Sequence, residues 1–263
     1  MSNIAKEYTL LFLSRYSPAI IVFIGVIVAW QILVPFLNIP AFLLPTPKMI
    51  LTRLLDPSIN WYQNAYVTVY ESLVGFALAV VVGVGIAVAM VLFRRISLIF
   101  YPFVIAAQVV PKIAFVPILF IWIGFNDEPR ILTVFLVCFF PIVINTMTGL
   151  YSIESDMVDM IRSFSRRRVD LLVKAMFPLA LPSFFSGLKV SITLALIGAL
   201  VAEFVSSNSG LGFLIISAQV QLDTTLAFAA ATLLIIIGFI MYIAIEVVEK
   251  LVIPWKPKAG SER

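Results

Sequence analysis

The sequence predicts an all-α polytopic membrane protein with about six transmembrane helices. The chain is 62% hydrophobic, and only 12% of its residues are charged, whereas a soluble domain carries about 25% charged residues. Several apolar stretches of about 20 residues recur, each long enough to cross the hydrocarbon core as a helix. No succession of alternating strands of about ten residues, the pattern of a membrane barrel, is visible.

Composition also limits the chemistry of the chain. It contains no histidine, the commonest metal ligand and proton shuttle, and its one cysteine, Cys138, lies inside an apolar run. The sequence has no GxxxxGK[ST] nucleotide-binding loop, no paired carboxylates and no nucleophile–base set. The net charge of +4 is not a nucleic-acid signal, because the basic residues lie at the ends of spans. No catalytic residue and no metal site are predicted, so active transport would take its energy from another chain or from an ion gradient.

The chain divides into a polar N-terminal tail (residues 1–17), a transmembrane region (18–250) and a polar C-terminal tail (251–263). The first apolar run is too long for a signal-peptide core and lacks a small-residue cleavage site after it, so it counts as a span. The predicted spans cover roughly residues 18–37, 68–93, 98–125, 131–151, 184–205 and 226–248.

The stretch between the first two spans is rich in proline and aromatic residues. LLPTPKMILTRL (43–54) predicts an extended piece that leads into a short amphipathic helix. Trp61, Tyr62, Tyr66 and Tyr70 follow it, which indicates an aromatic belt at the membrane interface.

Small residues mark one face of the second span. Gly75, Ala79, Gly83 and Ala87 recur every four residues, and residues four apart lie on the same side of a helix. Such a face lets another helix approach closely. We therefore expect tight helix packing along this span.

The third span is interrupted by prolines. Pro102, Pro111 and Pro117 lie inside it, with Gln108 and Lys112 near its middle. An interior proline removes a backbone hydrogen bond and bends the helix, and a bent, polar helix at membrane depth is tolerated only inside protein or beside water. The span is therefore a candidate pore-lining element. Alternatively, Lys112 extends its ammonium to the membrane surface and the prolines only shape helix packing.

Polar residues also occur in the fourth and fifth spans. NDEPR (126–130) predicts a tight turn before the fourth span, which contains Asn145 and Thr146. The fifth span contains Lys189 near its start and Glu203 near its end, and the stretch SSNSGLGFLI that follows it is expected to form a loop. Polar residues at these depths either line a transport path or join neighbouring helices.

Glu203 has two possible roles, because a carboxylate within a span is costly unless it is paired or hydrated. It either lines the transport path or gate, or it is paired for structural reasons. Lys189 lies about 21 Å away along a helix, so no direct bond between them is expected within one span. Glu71 faces the same choice, and its place near the outer end of the second span favours structural pairing. The candidate path or gate residues are Gln108, Lys112, Asn145, Thr146 and Glu203.

The distribution of basic residues predicts the orientation. In a six-span arrangement, one side carries thirteen lysines and arginines, whereas the other carries Lys48, Arg53 and Arg130. Cytoplasmic loops are enriched in lysine and arginine, so both termini and segment 154–176 are predicted to be cytoplasmic. The thirteen residues are Lys6, Arg15, Arg94, Arg95, Arg162, Arg166, Arg167, Arg168, Lys174, Lys250, Lys256, Lys258 and Arg263.

Segment 154–176 is part of the longest polar interruption between the two ends of the chain. Met157, Met160, Ile161 and Phe164 fall on one face of a helix, and a second helix is expected after a turn near Ser165. From the residues alone, the segment either docks onto a soluble partner or lies on the lipid surface, for which its arginines are suited.

The same segment resembles the cytoplasmic loop of binding-protein-dependent ABC importer permeases. Their pattern is Glu-Ala-Ala, three residues, Gly, nine residues, then Ile-x-Leu-Pro. In this chain it falls on Asp159-Met160-Ile161, Ser165 and Ala175-Met176-Phe177-Pro178, so the alanines and the glycine of the pattern are replaced. Similar stretches follow one another in the order of the nitrate/sulfonate/taurine-type branch: LLPTPKMIL, ESLVGFALAVVVGVGIAVAM, VPKIAFVPILFIWIGF, FFPIVINTMTGLYSIE, FPLALPSFFSGLKVSITLALIGALVAEF and SGLGFLI.

The resemblance implies a type I importer permease fold (MetI-like) in the cell inner (plasma) membrane. It implies a homodimer of permease chains, two cytoplasmic ATPase subunits that bind ATP and magnesium, and an extracytoplasmic solute-binding protein, with no cofactor in this chain. Serine enters a left-handed turn less readily than glycine, so the turn at Ser165 either differs from the family's turn or is held by its neighbours. The implied ATPase-coupling residues are Asp159, Met160, Ile161, Arg162, Phe164, Ser165 and Arg166.

The implied solute is a small organic or oxyanion compound of the nitrate, sulfonate, taurine or vitamin-precursor class. Few cations line the spans, so a strongly anionic solute is not favoured. The alternative function is an ion-gradient-driven secondary transporter, which would need membrane-buried acids coupled to the solute and inverted repeats. Glu71 and Glu203 are the candidates for such acids, and no repeat is visible. A channel-like or structural subunit is the third possibility.

Overall fold

Helices account for every regular element in the part of the chain that the computed structural model describes, residues 2–152, 176–206 and 208–255. They are α1 (Ser2–Phe36), α2 (Pro47–Leu54), α3 (Trp61–Leu92), α4 (Arg94–Val109), a 3-10 turn (Lys112–Phe115), α5 (Val116–Ile123), α6 (Glu128–Tyr151), α7 (Phe177–Val205), α8 (Leu211–Val220) and α9 (Thr224–Val252). The predicted all-α architecture is confirmed.

The described residues contain four or five of the about six membrane spans that the sequence predicted. Among the described residues, α3, α6, α7 and α9 are long and apolar enough to cross a membrane. Helices α4 and α5 make a fifth span if the pair is one broken helix. The first predicted span falls within α1, whose apolar stretch Ile20–Phe36 is shorter than α3, α6, α7 and α9.

The first of two compact units comprises Met1–Asn60 and Ile215–Ala231. In it, α2 packs against α1. Met49 N donates a hydrogen bond to Thr46 Oγ1 (3.3 Å), which caps the start of α2, and Pro47 occupies the first turn, where its missing N–H costs nothing. The extended piece and short helix predicted between the first two spans are therefore confirmed.

The second unit comprises Trp61–Leu214 and Thr232–Arg263. Its core forms where α6 packs against α7 and against α3, and α3 also contacts α7. The buried apolar side chains at the centre of these three helices include Phe76, Val134, Cys138, Ile142, Phe185, Leu188 and Ile192. This unit contains the residues that the sequence predicted for a transport path.

The small-residue face of α3 is the surface on which α6 packs, and all four of its residues are buried. A Cβ added at Gly75 would lie 2.5 Å from Val134 Cβ, and one added at Gly83 would lie 3.1 Å from Ile142 Cγ2. Both distances are too short for ordinary packing. The close helix approach that the four-residue spacing predicted is confirmed.

Gly75→Ala should therefore lower the free energy of unfolding by about 1–3 kcal/mol relative to Gly85→Ala, because overpacking a well-packed core forces neighbouring helices apart. Gly85 is a matched control on the same helix, since a Cβ added there meets nothing within 4 Å. Thermal unfolding in detergent, followed by a thiol-reactive dye, checks this prediction, because Cys138, the chain's one cysteine, is buried. Equal melting temperatures for the two variants would contradict it.

The third predicted span is broken into two helical parts. Helix α4 ends at Val109 and the 3-10 turn begins at Lys112, and the two halves of the span meet at 84°. Pro111 explains the position of the break: it lacks an N–H, and it forces Val110 before it into an extended conformation (φ −66°, ψ 128°). The sequence predicted that prolines interrupt this span, and the structure places the break at Pro111, where it brings polar groups beside α6.

Helix α6 begins earlier than the sequence predicted. The tight turn expected at residues 126–130 gives way to helix at Glu128, with Pro129 in the first turn and Arg130 buried. The first N–H groups of a helix have no partner within it, so a proline there removes no hydrogen bond.

Helix α7 likewise begins at Phe177 rather than at residue 184, with Pro178 in its first turn and Pro182 inside the helix. Both prolines therefore lie within α7, which starts earlier than the predicted span. The stretch predicted to be a loop, 206–215, contains the start of α8. The predicted interfacial aromatic residues belong to α3 itself, where Tyr62, Tyr66 and Tyr70 stack with centroid separations of 6.4 and 6.2 Å.

Candidate functional site

A cavity of about 540 Å³ lies where the break between α4 and α5 faces α6 and α7. Three of the predicted path residues meet there: Gln108 at the end of α4, Lys112 at the start of the 3-10 turn and Asn145 on α6. The apolar lining residues are Ile113, Val137, Phe140, Pro141, Ile144 and Leu194. The cavity therefore combines a mostly apolar wall with three polar side chains, the usual composition of a small-molecule site.

Lys112 is held at the rim of the break by two contacts. Its Nζ donates to the backbone oxygen of Gln108 (3.2 Å) and lies 4.7 Å from the ring centroid of Phe140. The first contact satisfies one of the carbonyl groups left free where α4 ends, and the second is a cation–π contact. Lys112 makes no ion pair with any residue that the structure describes, so its positive charge is uncompensated within the cavity.

Asn145 reaches the cavity because α7 has no side chain opposite it. A Cβ added at Gly187 would lie 2.6 Å from Asn145 Cβ. Asn145 Nδ2 donates to Pro141 O (2.8 Å), one helical turn earlier, so the amide oxygen and the second N–H remain available to a solute. Thr146 does not line the cavity: it is buried, and its hydroxyl makes no hydrogen bond to a described residue.

Glu203 lies outside this cavity and joins three elements. Thr68 Oγ1 on α3 donates to Glu203 Oε1 (2.6 Å), and Gly212 N in the first turn of α8 donates to Glu203 Oε2 (2.5 Å). Leu211 N donates to Thr68 Oγ1 (2.9 Å), and Gly210 N donates to the side-chain oxygen of Asn64 (2.8 Å). The carboxylate thus accepts from the N-terminus of α8, where negative charge is favoured.

Two glycines make room for this carboxylate. Gly210 has φ +113°, a backbone conformation that L residues rarely adopt, and a Cβ there would lie 2.5 Å from the oxygens of Glu203. A Cβ at Gly212 would lie 2.7 Å from Glu203 Oε2. The two glycines of the SGLG sequence therefore leave the space that the carboxylate of Glu203 occupies. As the sequence indicated, Glu203 and Lys189 are not bonded to each other, because each has other partners.

A second buried carboxylate, Glu71 on α3, forms an ion pair with Arg130 on α6, with Glu71 Oε1 2.7 Å from Arg130 Nε. Glu71 is 1% exposed. Arg130 also pairs with Asp127 and donates from Nη1 to Ser206 O (3.1 Å). The ion pair agrees with the structural pairing expected for Glu71, but its partner was not predicted, since Arg130 was assigned to a turn outside the membrane.

Sequence reasoning also missed Asn64 and Thr68, which tie α3 to the segment before α8. A signal for them exists. Asn64, Thr68, Ser72 and Gly75 continue the face of small residues toward the start of α3, and all four are buried. Polar residues on the packed face of a span join helices, so their periodicity could have identified them.

Another ion pair joins α7 to α9 within the second unit. Lys189 on α7 pairs with Glu249 near the end of α9, and Glu249 is 4% exposed. Lys189 Nζ also lies 6.0 Å from the ring centroid of Tyr242. This pair fixes the first half of α7 to α9.

The first unit contains a separate cavity of about 410 Å³ near the end of α2. Arg53 pairs there with Asp56 (2.8 Å) and with Asp223 (2.6 Å). Hydrogen bonds from the hydroxyl and backbone N–H of Ser58, together with Arg53, hold the pKa of Asp56 below its usual range. Each charged side chain here has a partner of opposite charge, so this cavity is a weaker solute site than the one at Lys112.

The predicted ATPase-coupling residues Asp159, Met160, Ile161, Arg162, Phe164, Ser165 and Arg166 lie outside the described residues. The structure describes the helices on either side. Helix α6 ends at Tyr151 and α7 begins at Phe177. Close packing joins these ends, since a Cβ at Gly149 would lie 2.8 Å from Ala180 O.

Comparison with known proteins places this architecture. Residues 79–254 match the family described as "Binding-protein-dependent transport system inner membrane component". The chain is 31% identical over 237 residues to the formylaminopyrimidine transport permease protein ThiX of Halalkalibacterium halodurans, covering 90% of this chain and 94% of that protein. It is 32% identical over 233 residues to the riboflavin transport system permease protein RibX of Chloroflexus aurantiacus, covering 88% and 87% respectively.

The fold is also similar to that of a solved transporter. A chain in an inward-facing structure of the MetNI methionine ABC transporter superposes with a TM-score of 0.59 at 16% sequence identity, covering 72% of this chain and 94% of that one. At this identity the similarity concerns the fold, and the MetI-like fold that the sequence resemblance implied is confirmed.

Proposed function

Because the chain belongs to the family of binding-protein-dependent transport system inner membrane components, we propose that it carries a small organic or oxyanion solute from a binding protein into the cytoplasm by alternating access. It is a multi-pass permease subunit of an ATP-driven importer. The observation that supports the transport path is the cavity at the break between α4 and α5, where Gln108, Lys112 and Asn145 meet. Non-helical backbone at membrane depth is stable only when it is buried in protein or lines a water-filled cavity.

The solute would pass through the cavity at Lys112, because the exposed groups there can replace its hydration. Two permease chains would form the complete path, and two separate cytoplasmic ATPase subunits would bind ATP and magnesium. Both termini and segment 154–176 would face the cytoplasm, so the coupling residues would lie beside the ATPases. The relatives named for formylaminopyrimidine and riboflavin support an organic solute.

Closure on the opposite side would involve the hydrogen bonds around Glu203. With the orientation above, this carboxylate lies toward the extracytoplasmic end of α7, where it holds the segment before α8 against α3. We assign Glu203 to the gate as the residue that positions this segment. Thr146, which is buried away from the cavity, would act through helix packing.

Reconstitution of the permease with its cognate ATPase and binding protein in proteoliposomes tests this proposal. Radiolabelled solute is supplied outside the vesicles, bound to the binding protein, and ATP is enclosed inside vesicles in which the ATPase subunits face the lumen. Uptake should require this ATP and all three proteins. The control is the permease alone under proton and sodium gradients. Uptake by the permease alone under an ion gradient would overturn the proposal and favour a secondary transporter.

Phe164→Asp should leave the permease in the membrane and abolish its co-purification with the ATPase, because a charge replaces the apolar anchor of the proposed coupling helix. Phe164→Leu is the matched control and should retain the ATPase, since it keeps an apolar side chain. Affinity purification from detergent-solubilised membranes, followed by quantification of both subunits, measures the effect. Retained ATPase and retained uptake in the aspartate variant would contradict the coupling assignment.

A further inference from the structure

We propose that Asn64, Thr68 and Arg130 are positioning residues of the gate at Glu203. They hold the α7–α8 connection, the described residues 206 and 208–212, against α3 and α6. The gate opens when this connection leaves α3, while α3 and α6 stay together. The inference rests on the proposed function, which assigns Glu203 to the gate, and it identifies the interface that separates during transport.

One face of α3 holds the α7–α8 connection at two points. Asn64 and Thr68 lie one helical turn apart, and both are buried. The side-chain oxygen of Asn64 accepts from Gly210 N (2.8 Å), and Thr68 Oγ1 accepts from Leu211 N (2.9 Å). Thr68 Oγ1 also donates to Glu203 Oε1 (2.6 Å). One hydroxyl therefore joins the end of α7 and the start of α8 to the same turn of α3.

Arg130 holds the connection from the side of α6. Its Nη1 donates to Ser206 O (3.1 Å), at the residue that follows α7. Its Nε lies 2.7 Å from Glu71 Oε1 on α3, and its Nη2 pairs with Asp127, the residue before α6. The two carboxylates fix the orientation of the planar guanidinium. Arg130 therefore presents a fixed donor to the connection.

The interface between α3 and α6 would be costly to separate. Gly75 lets α6 approach so closely that an added Cβ would lie 2.5 Å from Val134 Cβ, and the dispersion contacts of such packing are lost when two helices part. The ion pair between Glu71 and Arg130 is buried between the same two helices, and breaking a buried ion pair leaves an uncompensated charge. We therefore expect α3 and α6 to move as one body.

The interface between α3 and the connection is held by hydrogen bonds, which water can replace. The net contribution of each bond is small, because the same groups bond to water when they are exposed. In the proposed orientation this interface lies toward the extracytoplasmic side, where the Glu203 carboxylate and the Thr68 hydroxyl would be hydrated as the connection leaves. A polar interface is thus suited to repeated opening, whereas an apolar interface would expose surface that is unfavourable in water.

A buried thiol on the connection tests whether this interface opens. Leu211→Cys keeps the backbone N–H that bonds to Thr68, and position 211 is buried. Cys138→Ala removes the chain's one native thiol. A membrane-impermeant methanethiosulfonate is added outside proteoliposomes that contain the permease, the ATPase and the binding protein. A non-hydrolysable ATP analogue in the lumen should raise the labelling rate about tenfold or more, since an open state that is minor at rest then dominates.

A second thiol reports on the interface that should stay closed. Val134→Cys, in the same Cys138→Ala background, lies on α6 where it packs against α3, and position 134 is also buried. It should stay unlabelled with and without the analogue. If its labelling rises as much as that of Leu211→Cys, α3 and α6 separate too and the inference is overturned. A Leu211→Cys rate that does not depend on the analogue would also overturn it.

Variants of the positioning residues should open the gate without nucleotide. Thr68→Val removes the hydroxyl and keeps its volume, so the resting Leu211→Cys transporter should label severalfold faster. Thr68→Ser restores the hydroxyl and should restore slow labelling. Arg130→Met with Glu71→Met should also speed resting labelling, because it removes the donor to Ser206 O without leaving a buried charge.

A matched control removes a different buried ion pair of the same unit. Lys189→Met with Glu249→Met eliminates the pair between α7 and α9 and should leave resting labelling slow. A purely structural role for Arg130 would lower the melting temperature without changing the dependence of labelling on nucleotide. Slow resting labelling in both Thr68→Val and the Arg130 double variant would overturn the assignment of the positioning residues.

The outcome is separable from that of the proposed function. ATP-dependent uptake that needs the binding protein, together with nucleotide-independent labelling of Leu211→Cys, would remove only the assignment of the gate interface. Absent uptake with all three proteins present would remove the transport function itself, whatever the labelling result.

Discussion

Arg130→Met should destabilise the protein by about 3–5 kcal/mol, because it leaves Glu71 as an unpaired charge in the protein interior. Arg130 and Glu71 are 8% and 1% exposed, and the ion pair between them joins α3 to the first turn of α6. The same substitution removes the hydrogen bond to Ser206 O (3.1 Å) at the end of α7. A lower melting temperature of the purified permease in detergent, followed through exposure of Cys138, measures the loss.

The double variant Arg130→Met with Glu71→Met is the decisive control. Replacing both partners of a buried ion pair by apolar side chains of similar volume is often neutral or stabilising, so most of the lost stability should return. If the double variant is as unstable as Arg130→Met, the ion pair does not account for the loss, and the bond to Ser206 O would be the better explanation.

Glu203→Ala should cost about 2–5 kcal/mol, because it removes the acceptor for Thr68 Oγ1 and Gly212 N and leaves buried donors unsatisfied. Thr68 can still donate to Asn64 O (3.2 Å), so the N–H of Gly212 carries much of the penalty. Glu203→Gln should have a smaller effect, since the amide keeps one oxygen and the volume of the side chain. Thermal unfolding of the two variants gives the order of stability.

Transport by Glu203→Gln then separates the two roles considered for this residue. Loss of ATP-dependent uptake with a melting temperature close to that of the parent would show that Glu203 acts in the path or gate. If uptake and melting temperature fall together, the role of Glu203 is to hold the start of α8 against α3. Unchanged stability in Glu203→Ala would contradict the hydrogen-bonded geometry itself.

The sequence was sufficient for the fold class because hydrophobic composition and length identify membrane helices with little reference to tertiary structure. The close face of α3 was also predictable, since Gly75 and Gly83 repeat at the helical period and small residues permit close packing. Family resemblance supplied the MetI-like fold, which neither composition nor periodicity contains.

The helix boundaries that differ from the predicted spans lie at prolines. Pro111 breaks its span, whereas Pro129 and Pro178 lie in first turns and Pro182 is accommodated inside a helix. A proline is compatible with each of these settings, and the choice depends on whether neighbouring helices can stabilise the freed backbone groups. That information is tertiary, so a single sequence does not contain it.

The candidate site was predictable in part. Gln108, Lys112 and Asn145 were singled out by polarity within apolar spans, and the structure brings them to one cavity. Thr146 was chosen by the same criterion but lies on the buried side of α6. The partners of Glu203 could not be found from the sequence because Thr68 is more than a hundred residues away, and because residues 206–215, which contain the start of α8, were expected to be a loop.

The packing of Gly149 against Ala180 has a mechanical consequence for the stretch between them. Residues 153–175 connect the end of α6 to the start of α7, and the two helices are in close contact there, with Leu150 and Ala180 buried together. A force applied to this stretch by a partner protein therefore acts on both helices at a single point. Sliding of one helix end past the other would require Gly149 to lose that contact, so α6 and α7 would be displaced as a pair and the load would reach the cavity wall that they share.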